Sequence, residues 1–197
     1  MKPLAIITLS FYFSLNAQSY VFDDLTNEQG LDFIHDHGGS GEKYYVETMG
    51  SGVCLLDFDN DNDLDIYFCQ GAPLPGWDKN TVLANKLFRN DNGQWTDVTG
   101  KAGVGDKSYS IGCACGDVDN DGDQDCYAGL DVPLPGQSSK ILLNDGAGHF
   151  TVKAGSGVDS GGFSPAANAV FADFNGDANL DLFVGTGHTS YAAPDLL

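Results

Sequence analysis

The sequence predicts an all-β fold, part of a β-propeller about three blades long. An acidic nonapeptide recurs as DFDNDNDLD from Asp57, DVDNDGDQD from Asp117 and DFNGDANLD from Asp173, at spacings of 60 and 56 residues. Self-similarity at a period of this size marks a repeat architecture. Each copy lies between short apolar segments, as a loop joining two strands of a hairpin does. No stretch sustains the 3.6-residue apolar period of a helix, and the 26 glycines are spaced to suit short strands. A repeat of this length fits one four-stranded blade, and three copies fall short of the about four blades that close a ring.

Taken in order, the chain opens with Lys2, an apolar run from Leu4 to Leu15, and small Ala17 before Gln18. That is the pattern of a secretory signal over residues 1–17, and the run is too short to cross a bilayer, which takes about 20 residues. Residues 18–197 then form the repeat region, with strands expected on either side of each acidic loop: Gly50 to Leu56 and Ile66 to Phe68, Ile111 to Gly116 and Cys126 to Ala128, Ala166 to Ala172 and Leu182 to Val184. A second phrase interleaves with the loops, LFRNDNGQWTDVT from Leu87 matching ILLNDGAGHFTVK from Ile141, with VFDDLT from Val21 resembling its tail. Each phrase leads to glycine plus an apolar residue, Gly30-Leu31, Gly103-Val104 and Gly157-Val158, as a strand followed by a tight turn requires. The last copy reaches Leu197 without its partner phrase, so the expectation is a piece of a longer propeller.

The composition narrows the partners. A 42% hydrophobic chain can build a core, and a net charge of −19 disfavours nucleic acid and anionic membrane surfaces. Thirteen of the 28 acidic residues fall in the three loops, which calls for cations there.

A hard divalent cation takes six to eight oxygens at about 2.3 to 2.6 Å, and carboxylates at alternate positions of a tight loop can converge on one point. The expected side-chain ligands are Asp57, Asp59, Asp61 and Asp65, then Asp117, Asp119, Asp121 and Asp125, then Asp173, Asn175, Asp177 and Asp181. The backbone carbonyls of Asp63, Asp123 and Asn179 complete the three sets, with the Asp63 carboxylate facing out. The sixth position needs a sharp turn: Gly122 suits it best, Asn62 tolerates it, and Ala178 weakens it. An EF-hand is excluded, because Phe68, Ala128 and Val184 stand where its twelfth-position glutamate belongs.

The five cysteines of residues 18–197 are Cys54, Cys69, Cys113, Cys115 and Cys126. Hairpin pairing places Cys54 near Cys69, and Cys113 or Cys115 near Cys126, leaving one over and the connectivity open. Zinc is the weaker reading, since Cys113 and Cys115 lack a second pair at zinc spacing.

Elsewhere, His35 and His37 flank Asp36, but no third histidine or acid is tied to them by spacing, and His149 and His188 lie far off. The glycines at Gly50 to Gly52 lack the lysine and helix of a phosphate loop. Trp77, in the GAPLPGWDKN insertion, with Tyr44 and Tyr45, could stack on sugars, whereas Trp95 in the repeat phrase is expected in the core. The insertion has a counterpart in DVPLPGQSSK, and the two PLPG segments are expected to cap the same edge of successive blades.

The D-x-D-x-D-G-x-x-D loops alternating with L-x-N-x-G-x-F-T-D-V-T phrases resemble FG-GAP, or VCBS, repeats, and integrin α-subunit propellers carry related loops. VFDDLTNEQGLDFIHDHG followed by ETMGSGVCLLDFDNDNDLDIYF is similar to the N-terminal part of the cartilage acidic protein family, which includes bacterial members with an ASPIC/UnbV domain. The resemblance covers roughly residues 20 to 190. It implies a propeller of about seven or eight blades, Ca²⁺ on the loops within each blade, and adhesion or extracellular binding. The departures from the pattern are Asn62 and Ala178 at the glycine position and Asn175 at an acidic one. The expectation is a secreted, calcium-binding module with no catalytic role, contacting an extracellular protein or glycan. The alternatives are a secreted polysaccharide lyase or hydrolase using the His35 region, and a lectin-like propeller using Trp77.

Overall fold

Apolar segments of four to seven residues on each side of the acidic loops are too short for helices and long enough for strands. The computed structural model, which describes residues 23–24, 26, 28–130, 137–159 and 168–185, pairs them as antiparallel sheets. The first blade is a four-stranded meander of β1 (Val53–Leu56), β2 (Asp65–Phe68), β3 (Lys86–Asp91) and β4 (Gln94–Asp97), hydrogen-bonded in that order. The second repeats it with β5 (Ser110–Gly116), β6 (Asp125–Leu130), β7 (Lys140–Asn144) and β8 (Phe150–Val152). The third is described as the pair β9 (Asn168–Ala172) and β10 (Asp181–Gly185). The acidic loops are the β1–β2, β5–β6 and β9–β10 connections. The signal segment and the second PLPG segment lie outside the described residues.

Each interleaved phrase forms the outer two strands of a blade. Asn92 and Gly93, both at positive φ, make the two-residue turn from β3 to β4, the geometry for which that dipeptide is preferred. One element goes beyond the sequence reading: after β4 the chain makes a single helical turn, α1 (Thr99–Ala102), closed by Gly103 at φ 77°. Gly30 and Gly157 have the same sign of φ, so all three predicted glycine turns are left-handed.

The blades stack side by side, β1 against β5 and β5 against β9. Leu56, Phe58, Tyr67, Leu87, Ala102, Leu142 and Phe150 fill the space between the first and second blades. Tyr127, Ile141 and Val184, with Phe171 and Leu182 against them, do the same between the second and third. The β1–β2 register pairs Leu56 with Asp65 and Cys54 with Tyr67, which turns Cys54 and Leu56 toward the second blade and Val53 and Leu55 outward, both 56% exposed. Asn85 is the polar anchor of the first interface. Fully buried, it accepts from the Gln70 amide at 2.8 Å and donates to Tyr67 Oη at 2.8 Å and Ser110 Oγ at 3.0 Å.

Two expectations from the sequence fail here. Trp95 is half-buried on the outermost strand, its Nε1 3.4 Å from Gln29 Oε1, and not in the core. The outermost strand still reaches the core in the second blade, where Phe150 of β8 is buried, so strand position alone does not decide the exposure of Trp95. Cys54 does not face Cys69, which lies beyond the hairpin register and bonds its amide to the Gly52 carbonyl.

Candidate metal centre

Asp and Asn side chains readily accept hydrogen bonds from backbone amides a few residues ahead, and this local chemistry builds all three loops in one pattern. The first aspartate collects two amides: Asp57 accepts from Asp61 and Asn62, each at 3.0 Å, and Asp117 from Asp121 at 3.1 Å and Gly122 at 3.0 Å. Asp173 accepts from Asp177 at 3.1 Å and Ala178 at 2.9 Å. The fifth residue accepts the amide of the seventh, Asp61 from Asp63, Asp121 from Asp123 and Asp177 from Asn179. The sixth residue is left-handed throughout: Asn62 at φ 70°, Gly122 at 98° and Ala178 at 70°. The fourth is left-handed in the first two loops, at Asn60 and Asn120, and the third loop opens the same way at Gly176.

This winding brings acidic oxygens together. One oxygen each from Asp57, Asp59 and Asp61 lie within 4.8 Å of one another, as do those of Asp117, Asp119 and Asp125. Asp59 Oδ1 is buried with no hydrogen-bond partner, and an orphaned buried acceptor of this kind costs free energy unless something satisfies it. Burial and the neighbouring carboxylates of Asp61 and Asp57 push the Asp59 carboxyl up, with Arg89 opposing. Converging oxygens, like charge and an unsatisfied acceptor are the donor set of a hard divalent cation, so the residues fit Ca²⁺.

The ninth position differs from the expectation of a simple ligand. Asp65 is fully buried and uses both oxygens on backbone amides, those of Phe58 at 3.0 Å and Asn90 at 2.8 Å, and burial pushes it up to about 6. Asp125 does likewise with Val118 at 2.9 Å and Asn144 at 2.8 Å, and is raised for the same reason. These residues tie the loop to the third strand of their own blade. A carboxylate oxygen has two lone pairs, so one that accepts an amide can also face a cation, and Asp125 stands in the second acidic trio while Asp65 stands outside the first.

At the seventh position the Asp63 carboxylate stands outside the first acidic trio and accepts the Asn92 amide at 2.9 Å. Asp123 and Asn179 accept from the preceding loop, from Asn60 Nδ2 at 2.6 Å and Asn120 Nδ2 at 2.7 Å. In the third loop Asp181 accepts the Phe174 amide, and Asn175 sits between Asp173 and Asp177, whose acidic oxygens form no comparable trio among the described residues.

Sequence reasoning missed the asparagines that knit the loops together. Asn144 Nδ2 donates to the Phe58 carbonyl at 2.7 Å, joining the second blade to the first loop. Gln124 Oε1 accepts the Asp57 amide at 3.1 Å. Polar residues at fixed offsets from each loop, in the L-x-N phrase and beside the aspartates, were the signal.

The remaining candidates do not converge. His37 Nδ1 accepts the Gly39 amide at 3.0 Å and lies 3.9 Å from Glu47, while Asp36 pairs with Lys79 at 3.0 Å. Burial lowers His35. Lys79 Nζ sits 4.5 Å above the Trp77 ring, covering one face of the indole that a sugar would need.

Residues 57–128, from the first acidic loop through the second and into β6, match the FG-GAP-like repeat family. The chain therefore carries an FG-GAP-like repeat in an all-β fold consistent with part of a propeller. No curated protein matches the chain at a significant level. Among the described residues no helix is long and apolar enough to cross a membrane.

Proposed function

We propose that the chain is a calcium-loaded propeller module of a secreted protein, of the cartilage acidic protein type, that binds an extracellular protein or glycan. The observation that carries the reading is the pair of acidic trios, with Asp59 Oδ1 buried and without a partner. Asp57, Asp59 and Asp61 would hold one ion, and Asp117, Asp119 and Asp125 another, with the third loop as a weaker site. Calcium supplies positive charge where the chain concentrates negative charge, and it plays no chemical part beyond that. The protein's own residues do the rest: backbone amides pre-set each loop, Asp65 and Asp125 fix it to the sheet, and the interblade asparagines keep successive loops in register. The result is a rigid platform from which the insertions reach a partner. The outward Val53 and Leu55 stand where the second blade has Cys113 and Cys115 covered by the first, which supports a further blade against β1.

The test is thermal unfolding of the full chain with EDTA and with Ca²⁺. A ligand that binds only the folded state raises stability, by about 2.7 kcal/mol at a hundredfold excess over Kd. Melting that is the same in both conditions overturns the calcium reading.

A further inference from the structure

All five thiols of the described residues lie in one continuous group between the first and second blades. Cys115 Sγ is 2.9 Å from both Cys54 Sγ and Cys126 Sγ. These three sulfurs, from β5, β1 and β6, fall within 4.8 Å of one another. Cys113 continues the group, touching Cys54 on one side and Cys69 on the other. Leu56, Leu142 and Ala128 belong to the same buried cluster. All five cysteines are free.

Packing alone does not require sulfur to meet sulfur. Cysteine serves as a small apolar residue in a core, but aliphatic neighbours fill such a space equally well. Three converging thiols with apolar surroundings instead make a donor set that hard cations disfavour and soft ones prefer. Sequence spacing hid the set, because its third member comes from the neighbouring blade.

We propose that Cys54, Cys115 and Cys126 form a binding site for a thiophilic d¹⁰ cation, Cu(I) or Zn(II), that clasps the first blade to the second. Binding is acid–base chemistry without a redox change: the ion takes sulfur lone pairs, and the thiol protons leave to solvent. A cavity of about 420 Å³, lined by Met49, Gly52, Val53, Ile111 and Cys113, reaches the edge of the thiol group at Cys113. The site is independent of the acidic loops, because oxygen-seeking Ca²⁺ does not compete for thiolates.

The test uses the full reduced chain with saturating Ca²⁺ and oxygen excluded. It is titrated with Cu(I) against a bathocuproine chelator and, separately, with Zn²⁺ against a chromophoric chelator. One equivalent of one or both ions is expected, the arms identifying which. Cys115→Ser should weaken binding by more than about 100-fold, beyond what loss of an outer partner costs, while Cys69→Ser leaves it unchanged. A second readout needs no variant: the bound ion should slow alkylation of the partly buried Cys54 in the native protein. Failure to bind either ion stoichiometrically, equal binding by Cys115→Ser, or a disulfide between any two of the three in the protein as expressed overturns the proposal.

Discussion

Asn60 donates from Nδ2 to Asp123 Oδ1 at 2.6 Å, and one blade further on Asn120 makes the same bond to Asn179 at 2.7 Å. The fourth residue of each acidic loop thus holds the seventh residue of the next, so the loops form a chain of linked sites along one edge of the blades.

That link predicts the effect of Asn60→Asp. Aspartate tolerates the left-handed φ of 61° about as well as asparagine, so the backbone is undisturbed, but it sets a carboxylate against Asp123 in place of a donor. The expected result is a loss of about 1 kcal/mol or more, read from urea unfolding in saturating calcium. An unchanged midpoint would show that the loops are not coupled through this bond.

Ala178 is held at φ 70°, where a side chain beyond Cα is strained and glycine is not. Ala178→Gly should therefore stabilise the third loop by about 1 kcal/mol and tighten its calcium binding. Isothermal titration of both proteins checks this. The same exchange at a position of negative φ destabilises, so a decrease here would contradict the strain.

Asp59→Asn separates two effects of one carboxylate. Without calcium it removes a charge that burial and two neighbouring carboxylates disfavour, so the melting temperature in EDTA should hold or rise. With calcium it removes a ligand, so part of the roughly 2.7 kcal/mol gained at a hundredfold excess over the parent Kd disappears. Scans in the two buffers read the opposite signs directly, and a fall of equal size in both would mark Asp59 as structural only.

The pH dependence follows from Asp65, whose folded value of about 6 lies above the ordinary 3.8 because of burial. Between those values the folded chain holds a proton that the unfolded chain has released, so the contribution is fully present below pH 3.8 and is lost as pH rises through about 6. Asp59 and Asp125 shift in the same direction. In EDTA, unfolding free energy should fall as pH rises across this window, by on the order of 3 kcal/mol from Asp65. In saturating calcium the slope should reverse, because the cation holds the charged forms that protons remove. Parallel curves in the two conditions would sink this assignment.

Much of this architecture is legible in the residues themselves. The turns at Asn62, Gly122 and Ala178 follow from contacts within about five residues of one another, where side chain and backbone chemistry act locally, and the flanking strands from the short apolar segments beside each loop. The double duty of Asp65 and Asp125 was less visible. An aspartate in a ligand pattern gives no sign that two amides, one from a strand 25 residues away, will claim its oxygens.

The amino-acid sequence by itself determined the blade period, the three acidic loops and the handedness of their turns, because each rests on short-range hydrogen bonding and on which residues accept positive φ. Only the tertiary structure decided that Asn60 would meet Asp123, that Asn85 would bridge Tyr67 and Ser110, and that the sulfurs of three cysteines from two blades would converge. Those contacts join residues 63 positions apart in the loops and between 11 and 61 apart in the core, and strand pairing together with the stacking of one twisted sheet on the next brings them together.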